Sequence, residues 1–337
     1  MNIMSKKTRI GVKKDYRNVK LSAPLDRGSE EFHSHEAKHP SEVELLGTKD
    51  VVCVPRTTTI MGAVKTMAEH GVRRVPVVDA GSRILEGIVL TTHIVDFLGG
   101  GDLHNLVKNK YKGNLLAAIN EEVREIMDEN VPAISVRATF SDALDTMIEE
   151  DVGGLPLLNN EGRVVGIITE RDVINFVAGK NPKATIHPNT RLPSFEGYLR
   201  KLSEKHVKDY MSDEVISMIP EETITEGMKV MISHGFRRIP LIRDGVLVGV
   251  VTASDILRYL ATGEVFEKLV MGMTHEAFDV PIKTLIRKDV VTIGKMAKLK
   301  DAALKMVENQ VGCLPVIQKR NLVGIITERD IVSSLVE

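Results

Sequence analysis

The most regular feature of this sequence is an apolar pattern that recurs four times with the spacing of an amphipathic helix. Each copy begins with apolar residues at positions i, i+3, i+4 and i+7, which fall on one helix face. The last apolar position of each set is a methionine, which is typical of core filling. The pattern therefore predicts four repeats that each start with a helix. The repeats span residues 60–97, 140–176, 224–257 and 299–332, with Met67, Met147, Met231 and Met306 at the last apolar position.

A proline in an apolar, strand-like run follows each predicted helix. It lies nine residues after the methionine in every repeat, at Pro76, Pro156, Pro240 and Pro315. Proline cannot donate a ladder hydrogen bond, so we expect it at a strand start or a sheet edge.

A turn and a second apolar run with an embedded glycine come next, at Gly87, Gly166, Gly249 and Gly324. Glycine in a strand indicates that a helix or a ligand approaches the backbone closely. A second helix closes each repeat, so the order is strand, helix, strand, strand, helix. One such unit leaves an apolar sheet face uncovered, and we expect neighbouring repeats to pair.

The repeats alternate in sequence. Repeats 1 and 3 carry an Arg-Arg doublet before the proline, whereas repeats 2 and 4 share a Gly-Ile-Ile-Thr-Glu-Arg-Asp motif. The duplicated unit is therefore a pair. We predict an extended polar arm (1–45), a first pair (46–178), a linker (179–206) and a second pair (207–337).

Charge sets the arm apart from the body. The net charge is −1, but the first 20 residues carry seven basic side chains and one acid, whereas residues 41–337 carry 36 basic and 41 acidic ones. Two cysteines in apolar stretches are typical of reduced thiols inside a cell. The N-terminus has no signal-peptide pattern and the sequence has no long apolar run, so we expect a cytoplasmic protein without a membrane partner.

These motifs together resemble the CBS domain, and two tandem pairs resemble the γ subunit of AMP-activated protein kinase and its archaeal relatives. The resemblance covers about residues 46–337. It implies an α+β fold of four CBS repeats in two pairs with pseudo-two-fold symmetry. It also implies clefts that bind adenine nucleotides and no catalytic activity, so we predict that the protein is not an enzyme.

The candidate binding motif is Thr-x-x-Asp after the second strand. The three copies are Thr169/Asp172, Thr252/Asp255 and Thr327/Asp330. One interpretation is a helix capping box. The family resemblance implies another, in which the aspartate accepts the ribose hydroxyls and the threonine binds near the phosphate; both can hold together. Repeat 1 has Leu90 and His93 in these places, so we expect at most three usable sites.

Phosphate groups require cations, and guanidinium groups match phosphate oxygens well. The alternative for each arginine is a solvated surface charge. The expected ligands are AMP, ADP or ATP, with no metal beyond the Mg²⁺ that accompanies ATP. The candidate phosphate ligands are Arg73, Arg74, Arg237, Arg238, Arg171 and Arg329.

The first 20 residues of the arm combine seven cations with a tyrosine, which favours binding to RNA phosphates; the alternative is a solubilising tail. A four-CBS body with a basic arm also resembles archaeal proteins that silence ribosomal subunits when energy is low. We therefore predict a regulator that binds ribosomal RNA or subunits and inhibits translation. The alternative is an energy-sensing subunit that binds a kinase, transporter or metabolic enzyme. The predicted RNA-binding residues are Lys6, Lys7, Arg9, Lys13, Lys14, Tyr16, Arg17 and Lys20.

Overall fold

Four copies of a small α/β unit make up the part of the chain that the structure describes. The computed structural model describes residues 40–180, 195–286 and 289–336, all within one unit of the chain. Helices and four small sheets form a mixed α+β fold, as predicted. Across these three ranges, no helix is both long and apolar enough to cross a bilayer.

The first two repeats follow the predicted order and are preceded by a short helix, α1 (Glu42–Leu46). Repeat 1 comprises β1 (Val54–Pro55), α2 (Ile60–Glu69), β2 (Arg74–Val78), β3 (Leu85–Leu90) and α3 (Thr91–Gly99). The connection contains α4 (Leu115–Ile119). Repeat 2 comprises β4 (Ile134–Ser135), α5 (Phe140–Glu149), β5 (Gly154–Leu158), β6 (Val164–Thr169) and α6 (Glu170–Val177).

The second pair begins after the helix α7 (Phe195–Glu204). Repeat 3 comprises α8 (Ile224–His234), β7 (Arg238–Arg243), β8 (Val246–Thr252) and α9 (Ala253–Leu260), and is followed by α10 (Gly263–Val270) and α11 (Thr274–Phe278). Repeat 4 comprises β9 (Ile293–Gly294), α12 (Leu299–Glu308), β10 (Cys313–Gln318), β11 (Asn321–Thr327) and α13 (Glu328–Val336). The predicted first strand of repeat 3 is reduced to one pairing, between Met218 and Leu241.

The end of the predicted extended arm is helical. Ser41 caps α1, and Val43 and Leu45 within that helix are buried. The Glu42 carboxylate accepts a hydrogen bond of 2.7 Å from the Phe140 N–H and so joins this helix to repeat 2. The boundary of 1–45 therefore lies a few residues too late. The predicted RNA-binding residues between 6 and 20 lie outside the described ranges.

The prolines lie where their strand has a ladder partner on one side only, as the sequence predicts. In repeats 1, 2 and 4 that strand is the middle one of three, whereas the repeat 3 sheet has two strands. In repeat 1, β2 pairs with β3 on one side along its length, but with β1 only at Val77 and Val78. Pro76 therefore has no strand on its other side, and its missing N–H breaks no ladder. The same register recurs at Pro156 and Pro315.

The helices pack between pairs, while the sheets contact within pairs. The helices of repeats 1 and 3 bury one apolar cluster, and those of repeats 2 and 4 bury another. The four methionines at positions 67, 147, 231 and 306 are buried in these clusters, as predicted. Because each amphipathic helix pair covers the apolar stripe of its counterpart, the two tandem pairs depend on each other for their cores.

The strand glycines admit neighbouring backbone within a pair. A Cβ atom at Gly324 would lie 2.9 Å from the Ser212 carbonyl oxygen, and one at Gly166 would lie 3.2 Å from the Thr48 carbonyl oxygen. The segment before one repeat thus packs on the glycine strand of its partner. Ser212 and Ile325 exchange two backbone hydrogen bonds there, of 3.0 and 2.9 Å. The close approach predicted at the strand glycines is therefore made, at Gly166 and Gly324, by the backbone of a neighbouring segment of the same chain.

We expect Gly324→Ala to destabilise the protein by about 1–3 kcal/mol, because the added methyl meets a backbone oxygen that cannot move without breaking the Ser212 pairing. Denaturant unfolding measures this change. The matched control is Gly294→Ala, where a Cβ atom meets nothing within 4 Å. Equal stability of the two variants would show that the contact at Gly324 does not constrain the fold.

Candidate functional site

Each Thr-x-x-Asp motif forms a capping box at the start of the second helix of its repeat. In repeat 3, Asp255 Oδ2 accepts hydrogen bonds from the Thr252 N–H (2.8 Å) and the Thr252 hydroxyl (2.5 Å). The same two bonds measure 2.8 and 2.6 Å at Asp172 and 2.6 and 2.9 Å at Asp330. The capping interpretation is therefore correct for all three motifs, and the carboxylates are held in one orientation.

The repeat 3 motif opens onto a cavity of about 440 Å³ between repeats 3 and 4. Arg73 of repeat 1 also reaches this cavity, so three repeats contribute to its wall. Cys313 is buried and lines the wall, whereas Cys53 elsewhere is only half-buried. The polar lining consists chiefly of Arg73, Arg237, Arg238, Thr252, Asp255 and Arg258, and the apolar lining of Val250, Val290, Val291 and Val311.

Arg258 is a residue of this site that the sequence reasoning missed. Its guanidinium group contacts Asp255 Oδ1, three residues earlier on α9, while Asp255 Oδ2 forms the cap. The Asp255 side chain is 13% exposed and remains accessible from the cavity. Both oxygens of this carboxylate are thus oriented by the protein.

The predicted phosphate-binding arginines come from all four repeats, and two of the three that pair with an acid share one buried carboxylate. Glu328, which is 1% exposed, contacts Arg73 Nη1 at 2.9 Å and Arg171 Nε at 2.6 Å. Burial raises the pKa of Glu328, but Arg73 and Arg171 outweigh burial and hold that pKa below its usual value. The carboxylate is therefore ionised in the folded protein at neutral pH.

Glu170 occupies the corresponding place in repeat 2. It is 3% exposed and pairs with Arg329 Nε, while Arg329 Nη1 contacts Asp151 at 2.6 Å. The interpretation of Arg73, Arg171 and Arg329 as simple surface charges is wrong, because each pairs with a buried glutamate.

The other three arginines have no acidic partner in the described part of the chain. Arg74 donates to the Gly154 carbonyl at 3.2 Å, and no hydrogen bond or ion pair of the Arg237 or Arg238 side chain is found there. Burial lowers the pKa of Arg74 to about 10; Glu170 opposes this shift and Arg237 adds to it. Burial and the neighbouring Arg238 lower the pKa of Arg237 as well. Such an excess of half-buried positive charge favours an anionic ligand.

Glycines in repeats 2 and 4 make room for these guanidinium groups. A Cβ atom at Gly154 would lie 2.7 Å from Arg74 Nη1, and one at Gly312 would lie 2.7 Å from Arg73 Nη2. This explains why the Arg-Arg doublets occur in one half of each pair and the glycines in the other half. Glu170 and Glu328 occur at the same position in repeats 2 and 4 only. This alternation with the Arg-Arg doublets is a sequence signal from which their pairing with arginines could have been found.

Repeat 1 differs from the other three as its sequence indicates. The His93 Nδ1 atom accepts a hydrogen bond of 3.4 Å from the Leu90 N–H, which is the capping role that aspartate has elsewhere. Burial lowers the pKa of His93, against the opposing effect of Asp128 and Asp96, so the imidazole is neutral. It supplies no carboxylate to a ligand.

We expect Glu328→Gln to destabilise the fold by about 2–3 kcal/mol at neutral pH, because it leaves Arg73 and Arg171 without their buried counter-charge. Arg73 is 37% exposed, so solvent reduces the effect relative to a fully buried pair. Thermal and denaturant unfolding measure the loss. Glu308→Gln is the control, since Glu308 is 59% exposed.

The pH dependence provides a second readout of the same variant. The pKa of Glu328 is lower in the folded than in the unfolded chain, so its contribution is present above the unfolded pKa and disappears as the pH falls through the folded pKa. Wild-type stability should therefore decline more steeply with acid than that of Glu328→Gln. If the stabilities of the two proteins declined in parallel with falling pH, Glu328 would not be the ionised partner of Arg73 and Arg171.

Comparison with known proteins agrees with this architecture. The CBS domain family matches four segments, residues 42–100, 123–179, 207–262 and 282–337. The protein MJ1225 of Methanocaldococcus jannaschii is 37% identical over 291 residues, which are 86% of this chain and 96% of its own. Its crystal structure, described as that of a proposed archaeal homologue of γ-AMPK, has a TM-score of 0.75 and covers 87% of this chain and 99% of that one.

Two further relatives also match most of this chain and most of their own length. A 33.4 kDa protein of Thermofilum pendens, described as lying in a ribosomal RNA operon, is 28% identical over 88% of this chain and 91% of its own. A structure from Pyrococcus horikoshii has a TM-score of 0.53 at 19% identity, with 87% and 99% coverage, and shows a shared fold. With the family matched in four successive segments, this chain belongs to the CBS domain family.

Proposed function

We propose that this protein binds adenine nucleotides in its CBS clefts and acts as a non-catalytic regulator that responds to cellular energy state. The observation that carries the proposal is the repeat 3 cavity, whose wall contains the oriented carboxylate of Asp255 together with Arg237 and Arg238, which have no acid partner in the described ranges. A nucleotide offers a cis-diol for a carboxylate and phosphates for guanidinium groups. Similarity to the proposed γ-AMPK homologue supports this proposal.

The cavity is suited to each part of such a ligand. The valine side chains at positions 250, 290 and 291 provide an apolar wall against which a base can pack. The start of α9 lies beside Asp255, and the N-terminus of a helix favours an anionic phosphate. We propose that AMP, ADP and ATP differ in how many of the predicted arginines their phosphates contact.

The same reasoning extends to the motifs of repeats 2 and 4, where Asp172 and Asp330 accept the same two threonine hydrogen bonds as Asp255. Repeat 1 lacks the carboxylate, so we propose at most three sites. The proposal includes no reaction, because the polar groups of the cavity wall act as caps, ion pairs and phosphate ligands.

We expect Asp255→Ala to weaken binding of AMP or ATP by about tenfold or more, since a charged group that accepts ligand hydrogen bonds is worth about 1.5–3 kcal/mol. Asp172→Ala and Asp330→Ala should do the same at their own sites. Isothermal titration calorimetry measures the affinity and the number of sites for each variant.

The matched control is Asp301→Ala. Asp301 accepts a hydrogen bond from the Lys298 N–H at the start of α12, so this change removes a comparable cap away from the cavity. It should lower stability slightly and leave nucleotide affinity unchanged. If all three cleft variants bind nucleotide normally, the Thr-x-x-Asp motifs are helix caps and nothing more.

A second part of the function concerns the partner. The basic arm is one reason to propose ribosomal RNA or subunits, with inhibition of translation under low energy; the relative described as lying in a ribosomal RNA operon is another. In this proposal the arm neutralises RNA phosphates and the nucleotide state of the body sets the affinity. The alternative is a regulatory subunit for a kinase, transporter or metabolic enzyme.

Removal of residues 1–20 should abolish co-sedimentation with ribosomes and leave nucleotide binding intact, because the deleted segment holds seven cations and no cleft residue. Ribosome pelleting at two salt concentrations, with calorimetry alongside, tests both expectations. Unchanged pelleting would reject the arm as the RNA contact. A protein partner whose capture resists nuclease treatment would favour the alternative.

A further inference from the structure

The four repeats present similar edges where the first helix of one repeat begins. At each edge, the residue that precedes the helix lies beside the segment that leads into the partner repeat. These backbone pairings are Thr59 with Glu122, Thr223 with Pro281 and Lys298 with His206. In repeat 2 the equivalent contact is made by α1, through Glu42. Internal symmetry therefore allows the four edges to be compared directly.

Acidic side chains accompany the cations at the edges of repeats 1 and 3. At the repeat 1 edge, Arg124 Nε lies 2.7 Å from Glu122. At the repeat 3 edge, Lys283 Nζ lies 3.2 Å from Glu221. These cations are neutralised locally, so the two edges carry no surplus of positive charge.

The repeat 4 edge is different and is strongly basic. We call it the basic edge; its residues are Lys205, His206, Lys208, Lys295, Lys298 and Lys300. Backbone hydrogen bonds hold its two segments together, from the Lys208 N–H to the Lys295 carbonyl (3.0 Å) and from the Leu299 N–H to the Lys205 carbonyl (3.0 Å). Five ammonium groups therefore belong to one ordered surface.

Three of the five lysines of the basic edge make no side-chain ion pair or hydrogen bond in the part of the chain that the structure describes. Lys205 and Lys298 direct their ammonium groups to the carbonyls of Ser334 (2.5 Å) and Glu204 (3.4 Å), which keep their charge in place. For the side chains of Lys208, Lys295 and Lys300, no ion pair or hydrogen bond is found within residues 40–180, 195–286 and 289–336. The surface thus offers positive charge to a partner.

One residue of this edge, Lys298, is unfavourable for the helix that it precedes. Thr59, Thr139 and Thr223 cap the first helices of repeats 1 to 3, each accepting a backbone N–H at 3.0 to 3.1 Å. Lys298 stands in this place in repeat 4 and has no acceptor for that bond. Its charge also lies at the positive end of the helix dipole, which is unfavourable. A residue that lowers stability at such a site indicates selection for another role.

We infer that the basic edge binds the phosphate backbone of RNA as a second contact, on the body of the protein. The inference rests on the proposed RNA partner, but on neither the arm nor nucleotide binding. An acidic protein surface is the competing partner. Protein interfaces use apolar anchors at their centre, whereas the large exposed apolar residue in this segment is Met296 alone. Phosphate contact requires only cations, which is what this edge provides.

The test uses the full chain and a labelled single-stranded oligouridylate RNA. We expect Lys208→Gln, Lys298→Thr and Lys300→Gln together to weaken RNA binding about tenfold or more at moderate salt, and to reduce the salt slope by about 2, since the probe is single-stranded. Lys298→Thr alone should weaken binding and raise the melting temperature, because it restores the cap that the other repeats have. The matched control, Lys283→Gln at the repeat 3 edge, should leave RNA binding unchanged.

The outcomes separate this inference from the proposals above. If the triple variant binds RNA like the wild type while removal of residues 1–20 abolishes binding, the basic edge is rejected and the arm survives. If the wild type does not bind RNA but binds polyglutamate through the edge, the partner is an acidic protein and the inference fails. Calorimetry with AMP on the triple variant reports the nucleotide sites independently.

Discussion

The buried glutamate-arginine contacts are the constraint from which the arrangement of the four repeats follows. Glu328 of repeat 4 holds Arg73 of repeat 1 and Arg171 of repeat 2, so one carboxylate joins three repeats. A buried carboxylate is costly unless it is paired, and so are half-buried arginines. These contacts explain why the repeats alternate in sequence. One repeat of each pair supplies an Arg-Arg doublet, and the other supplies a glutamate together with a glycine that makes room for an arginine side chain.

This shared use of charges links the clefts to one another. Arg73 lines the repeat 3 cavity and also pairs with Glu328, whose other partner, Arg171, directly precedes Asp172 of repeat 2. An anion in the cavity acts on Arg73 and therefore on the charge that Arg171 experiences. The structure thus contains a chain of ion pairs that runs from the repeat 3 cavity to the Thr-x-x-Asp motif of repeat 2.

Much of the fold could be predicted because periodicity, proline and glycine keep one register in four copies. The order of strands and helices, the edge position of Pro76 and its equivalents, and the capping role of Asp255 were all accessible from sequence. The helix at residues 42–46 was not, because five residues give too short a period, and its burial depends on repeat 2. Nor was the loss of the first strand of repeat 3, since pairing at Met218 depends on tertiary contacts.

The candidate site shows a different limit. Sequence motifs identified the arginines, but not that three of them are paired with buried glutamates, because such pairs join residues far apart in the chain. The positions that became informative are the departures from internal symmetry. His93 replaces a carboxylate and Lys298 replaces a capping threonine, and each can be judged against three equivalents in the same molecule. At His93 the cap survives and the carboxylate is lost. At Lys298, before the first helix of repeat 4, the cap is lost and a positive charge is gained. The first departure therefore keeps local stability and removes a binding group, whereas the second lowers local stability and adds one.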